Sequence, residues 1–137
     1  MSVTIDQLRS VPLFNGLKDP DLQRIVGIGK EVTHGPGQPV VEEDHTGVGF
    51  HLIMEGEASV TVHGRDVGTF GPGSYFGEMS VIDGGPRSAT VTPVTDLTTF
   101  SIPAWNFQEL MDSYPSMMKA LLIELCARIR RIDEAKS

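Results

Sequence analysis

The chain has 137 residues, 18 acidic against 11 basic, giving a formal net charge of −7 at pH 7 with 39% apolar and 21% charged side chains. That is the balance of one globular domain able to bury its own core, and its acidity excludes a broad nucleic-acid surface, which needs clustered Lys and Arg. No apolar run is long enough to span a membrane, the first residues lack a signal-peptide pattern, and the single Cys126 cannot form an internal disulfide.

The first thirty residues read as short helical pieces. Thr4 is placed to cap a helix carrying Ile5, Leu8 and Val11, and Asp19-Pro20 to open a second with Leu22, Ile25 and Val26 on one face, ending near Gly27 and Gly29. From Glu31 the pattern turns to strands, expected at Glu31–His34, Pro39–Glu42, Gly49–Met54, Ala58–His63, Asp66–Phe70, Ser88–Val94 and Leu97–Ile102. Twelve of the 15 glycines lie between Gly35 and Gly85, and turn signals such as Gly35-Pro36-Gly37 and Gly71-Pro72-Gly73 punctuate the strands. Many short strands at this spacing predict a jelly-roll β barrel.

Helices follow. One is expected from Pro103 to Asp112, and a longer one after Ser113-Tyr114-Pro115. The longer helix repeats apolar residues at Met118, Leu122, Leu125, Ile129 and Ile132, steps of four and three that make a seam for a partner or for the barrel itself. Met117, Met118 and Trp105 read as core or interface residues, and Cys126 as a small buried hydrophobe. The fold class is therefore α+β, mainly β, in a single domain: helices over 1–30, a barrel over 31–102 and helices over 103–137.

One interruption inside the strands carries the chemistry. Gly77 precedes Glu78-Met79-Ser80-Val81-Ile82, a short helix whose first backbone N–H groups and positive dipole end suit an anion. Arg87 follows after a Gly84-Gly85-Pro86 turn that can fold it back to the same place. From Glu31 through Met118 the only basic residues are Arg65 and Arg87, against twelve acids. A single planar cation in acidic surroundings suits one small phosphate. Glu78 repels phosphate and is better matched to a sugar hydroxyl beside it, so the pattern points to a sugar phosphate or nucleotide.

The run Phe76-Gly77-Glu78-Met79-Ser80, continued by Pro86-Arg87-Ser88-Ala89-Thr90-Val91, resembles the phosphate-binding cassette (here 76–91) of cyclic nucleotide-binding domains. These are the sensor domains of catabolite activators, protein kinase regulatory subunits and cyclic nucleotide-gated channels. Gly37, Gly56, the barrel, the cassette and two following helices fall in that family's order.

The resemblance implies that Glu78 takes the ribose 2′-hydroxyl and Arg87 the cyclic phosphate. Backbone groups at Gly77, Met79 and Ser80 complete the cradle, beside Phe76 and Pro86, with Ser88 and Ala89 at its far side. Ser88 after the arginine leans towards cAMP over cGMP. Aligned from Arg87, the family's base-facing pair in the last helix falls on Ile132 and Asp133. The chain departs from the family pattern at Glu43, where glycine is usual, and at His51, where tyrosine is frequent.

Other chemistries fit less well. The histidines, His34, His45, His51 and His63, contain no His-x-His pair, so no metal site is expected. Arg128, Arg130 and Arg131 read as complements to the helix dipole rather than a DNA patch. The expectation is a cytoplasmic, stand-alone cyclic nucleotide receptor that does no chemistry and makes no nucleic-acid or membrane contact. It would act through its C-terminal helix on an effector protein or a second copy. The alternative is an interaction module of the same fold not regulated by nucleotide.

Overall fold

A computed structural model describes residues 3–42, 49–85, 87 and 89–136, with side chains described as far as 131. Two helices come first, α1 (Ile5–Arg9) and α2 (Asp19–Ile28), followed by strand β1 (Lys30–His34). Strands β2 (Gly49–Glu55), β3 (Ala58–Val62), β4 (Arg65–Phe70) and β5 (Tyr75–Phe76) lead into the short helix α3 (Glu78–Asp83). Strands β6 (Thr90–Pro93) and β7 (Leu97–Pro103) then precede α4 (Ala104–Ser113) and the long α5 (Pro115–Lys136). Among the described residues no helix is long and apolar enough to cross a membrane.

Thr4 caps α1 as its sequence position demands: Gln7 N donates to the Thr4 hydroxyl and Thr4 N to the Gln7 side chain, a reciprocal capping box. At α2 the expectation shifts by one residue. Lys18 occupies the cap without a side-chain bond, and Asp19 enters the first turn with Pro20, where its charge still favours the helix dipole.

The strands form two antiparallel sheets, ordered β1-β7-β2-β5 and β4-β3-β6. Alternation divides β2 and β7 between two cores. Phe50, Leu52, Phe100 and Ile102 face the helices, packed with Leu8, Phe14, Leu22, Phe107 and Leu121. Phe50 stacks on Phe107 with ring centroids 4.3 Å apart, locking the first sheet to α4. The opposite face encloses the barrel interior, where Ile53, Ala58, Val60, Phe76, Val91 and Leu97 meet.

Pro39–Glu42 does not form the expected strand. Its pairing is confined to the bridge of Val41 to Val91, with Val40 N donating to the Val91 carbonyl and Val91 N to that of Val41, and Pro39 has no N–H to extend a ladder. β5 is an unexpected strand, two residues long and therefore without an alternation to read. Residues 43–48, Pro86, Ser88 and the side chains of Ile132 and Asp133 lie outside the described residues.

The long helix shows which of its faces meets the barrel. Met117 and Leu121 are fully buried against the barrel, while Met118, Leu122 and Ile129 are 47%, 60% and 59% exposed. These three residues of the spaced seam face away from their own domain, Leu125 is half-buried, and an offset stripe, Met117, Leu121, Glu124 and Arg128, lies over the domain. Cys126 is exposed rather than buried, and of the two roles open to Trp105 its exposure excludes the core. A helix with apolar residues on both flanks gives the sequence two candidate seams, and contact with the barrel selects one.

Candidate functional site

The site is built where β5 ends and α3 begins. Gly77 caps α3 at φ +93°, and a Cβ there would collide with the Gly49 carbonyl oxygen and the Arg87 guanidinium. Only glycine permits both the left-handed turn and the close approach of Arg87 to the main chain. Gly84, also left-handed, closes α3, and Gly85 N donates to Asp83 Oδ1, so the chain reverses towards Arg87.

Three polar side chains of this segment are withdrawn from solvent: Glu78 at 3% exposure, Ser80 at 8% and Arg87 at 4%. Arg87 Nη2 donates to the Gly49 carbonyl at 3.0 Å, but its Nε and Nη1 are buried without a hydrogen-bond partner among the described residues. Buried polar groups are normally satisfied, and a guanidinium with two such nitrogens can donate to an anion. Burial pulls the Arg87 pKa down and Glu78 partly opposes it.

Glu78 is met from the far end of the chain. Arg128 Nη1 donates to Glu78 Oε1 at 2.7 Å, and Arg128 Nε donates to Glu124 Oε1 at 3.3 Å. Burial lowers the Arg128 pKa, but the charge and hydrogen bond of Glu78, followed by Glu124, outweigh it and hold the guanidinium firmly protonated. The inner stripe of α5 is therefore apolar where it crosses the helical core and charged where it crosses α3. Arg128 is the site residue that sequence reasoning missed. The signal was present in its step of seven from Leu121, on the face opposite the exposed seam.

These groups border a cavity of about 620 Å³ between the two sheets and α5, a size suited to a small ligand. Gly77, Glu78, Met79, Ser80 and Arg87 line it along the cassette, and Ala89 on the far side. Phe76 lines it too, stacked between Phe70 and His51. Tyr75 borders it with its phenol pushed up to about 12, chiefly by burial and secondarily by Glu78. Arg87 and Glu78 so place a guanidinium and a carboxylate in the lining of one cavity. Among the described residues no three His, Cys, Asp or Glu side chains gather as metal ligands.

The profile of the Cyclic nucleotide-binding domain family matches residues 31–114, which contain the barrel, α3 and α4. The chain belongs to that family. Over 107 residues it is 35% identical to the cAMP-dependent protein kinase regulatory subunit of Eremothecium gossypii, covering 77% of this chain and 23% of that protein. The chain thus spans about a quarter of the length of that relative.

Solved structures agree on the architecture. The Thermus thermophilus Catabolite Activator Protein superposes with a TM-score of 0.81 at 26% identity, covering 90% of this chain and 61% of that one. The regulatory domain of Toxoplasma gondii PKA, crystallised with cAMP, superposes with a TM-score of 0.71 at 28% identity, covering 77% and 42%.

Proposed function

We propose that this cyclic nucleotide-binding domain is a receptor for cAMP in preference to cGMP, acting as a regulatory module whose output leaves through α5. The observation that carries the reading is Arg87, buried in the cavity with Nε and Nη1 unpartnered opposite the carboxylate of Glu78. A cyclic phosphate supplies two acceptor oxygens for those nitrogens. The preference for cAMP is supported by the cAMP bound to the Toxoplasma gondii domain and by the name of the Eremothecium gossypii relative.

Glu78 meets Arg128 through one carboxylate oxygen and is assigned the ribose 2′-hydroxyl through the other. One side chain then touches both the ligand and α5. A ribose hydroxyl donating to Glu78 fixes its orientation, fixes Arg128 with it, and biases α5 between two placements over the cavity. Ile132 and Asp133, one turn beyond Arg128, are assigned to the base on the strength of the family alignment. None of these roles requires bond making, so the reading is of a receptor rather than an enzyme.

Calorimetric titration of the purified chain with cAMP and with cGMP tests the assignment. Saturable heat with tighter binding of cAMP is expected; no heat with either nucleotide at millimolar concentration removes the receptor reading. A second reading, an interaction module of the same fold, is favoured by one observation. The apolar stripe of Met118, Leu122 and Ile129 is exposed on α5 and spaced for a helical partner, either an effector or a second copy.

A further inference from the structure

On the other flank of α5 from Met118, Leu122 and Ile129 lies a second cavity, of about 730 Å³, that contains none of the cassette residues 76–91. Its walls are the loop between α1 and α2, the turn from Phe70 to Tyr75, and α5 from Ser116 to Arg131. Phe70, Tyr75, Arg128 and Arg131 border the cassette cavity as well, so the two cavities share one partition.

The walls are held by bonds of their own. Gly73 N donates to the Ile53 carbonyl and Ile53 N to that of Ser74, each at 2.9 Å, which fastens the turn to β2. Tyr75 packs on Phe50 of the helical core, with ring centroids 5.4 Å apart. At the far end the α1–α2 loop closes on the first turn of α5, where a Cβ at Gly16 would stand only 3.2 Å from the Ser116 side chain.

Between these walls the lining is apolar with a surplus of positive charge. Leu13 is buried, whereas Ile123 is left 60% exposed on the cavity wall. Lys119, Arg128 and Arg131 stand against one carboxylate, Glu124. That carboxylate is already shared, accepting from Arg128 Nε at 3.3 Å and lying 3.7 Å from Arg131 Nη2. In a chain of net charge −7, such a lining complements an anion with an apolar body. Lys119 and Arg128 are separated by about 14 Å of helix carrying Ala120 and Ile123, an elongated wall suited to a chain rather than a ring system.

We propose that this cavity binds a medium-chain fatty acid, its carboxylate at Lys119 and its chain running along Ala120 and Ile123 towards Phe70 and Tyr75, and that its occupation tightens nucleotide binding. The effect on the nucleotide rests on the roles proposed for Glu78 and Arg128; the site itself does not.

A ligand here touches loop, turn and α5 together only while α5 lies where Arg128 Nη1 reaches Glu78 Oε1 at 2.7 Å. Binding at the Lys119 end leaves that pair intact. The ligand therefore favours this placement of α5 over any other, and a nucleotide held at Glu78 beneath it gains with it. Linkage makes the effect mutual, each ligand tightening the other by one factor.

Decanoate, below its micelle concentration, is the probe, titrated without nucleotide into the nitrogen-15-labelled full chain and followed by NMR. Saturable shifts are expected at Gly16, Gly73, Ala120 and Ile123, half-complete at about 1 mM or below. Ile123→Asp should weaken decanoate at least tenfold and Lys119→Glu about three- to tenfold, while Met118→Asp on the other flank leaves it unchanged. All three positions are exposed, so thermal melts should stay close to wild type. Shifts that do not saturate, that gather along Met118, Leu122 and Ile129 or in the cassette instead, or that survive both Ile123→Asp and Lys119→Glu overturn the site.

Calorimetry then reads cAMP with and without saturating decanoate. Affinity should rise about fivefold or more, by the factor with which cAMP raises decanoate affinity. An unchanged or weakened cAMP affinity overturns the coupling. A chain that takes decanoate at these walls but no cAMP strikes the receptor reading and upholds the second site.

Discussion

Arg128 on α5 and Glu78 on α3, fifty residues apart in sequence, share a hydrogen bond of 2.7 Å that fastens the end of the chain to the cassette. The Glu78 side chain is 4% exposed and that of Arg128 30%, so the pair is largely shielded from water on the carboxylate side. Breaking a buried pair strands the remaining charge, which costs more than the pair contributes when intact. Arg128→Leu should therefore lower stability by roughly 2–4 kcal/mol, somewhat below the fully buried range because the guanidinium keeps partial contact with water. Denaturant unfolding of Arg128→Leu, Glu78→Gln and the double variant checks it. The double variant should recover part of the loss, and additive losses would show that the two residues do not act as a pair.

Arg87 has the opposite energetic profile. With two buried nitrogens unpartnered among the described residues, it costs the free domain stability, and the anion proposed to bind there would offset that cost. Arg87→Leu should leave the melting temperature of the free chain unchanged or raised, yet weaken cAMP binding by roughly 2–5 kcal/mol. Calorimetry and thermal melts on the same preparation separate the two effects. A variant that binds cAMP like the wild type would place the phosphate elsewhere.

Much of this was legible in the sequence because turns and ligand chemistry use residues with few other uses. Gly77, Glu78 and Arg87 stand in a fixed local order, and the structure brings all three to one cavity. Gly56 and Gly37 likewise sit at positive φ, as turn glycines must. What stayed hidden depends on contacts distant in sequence. Arg128 looks like any arginine near a helix end until α5 is laid over α3. The α5 seam stayed open between a partner and the barrel for the same reason, since spacing defines a stripe but not which surface it meets. The Pro39–Glu42 segment failed as a strand because hydrogen-bond capacity at Pro39 outweighed apolar composition.

Gly77→Ala should be far more damaging than an added methyl suggests. The left-handed backbone at φ +93° costs roughly 1–3 kcal/mol for a residue with a side chain, before any collision is counted. The new Cβ would also displace the Gly49 carbonyl or Arg87, the two partners of the 3.0 Å hydrogen bond that orients the guanidinium. Stability and cAMP affinity should fall together, in contrast to Arg87→Leu. Thermal melts and calorimetry read both, and retained affinity would show that the turn does not position Arg87.

His51 sets a direction for acid sensitivity. Its ordinary value of 6.5 is pushed down to about 4, first by burial and then by Arg87 and His34. The unfolded chain therefore binds a proton at this residue that the folded chain refuses, so stability falls as pH drops from about 6.5 and levels off below about 4. The loss is on the order of 3 kcal/mol at most. Unfolding free energies of wild type and His51→Gln across that window check it. The variant should lose most of the slope, and an unchanged slope would assign the acid sensitivity to other groups.

The exposed stripe of α5 predicts association without a stability cost. Met118, Leu122 and Ile129 lie on one flank, steps of four and seven apart, while Met117 and Leu121, with Ala120 beside them, pack the helix into the core. If two copies pair along this flank, Leu122→Glu introduces a like charge at matching positions of both helices and should shift the mass seen by light scattering from dimer to monomer. Because Leu122 is 60% exposed in the single chain, the same change should alter the stability of the monomer by no more than about 0.5 kcal/mol. A wild-type chain that is monomeric at the highest soluble concentration would leave the stripe to an effector protein. A variant that unfolds would show that Leu122 packs within its own domain.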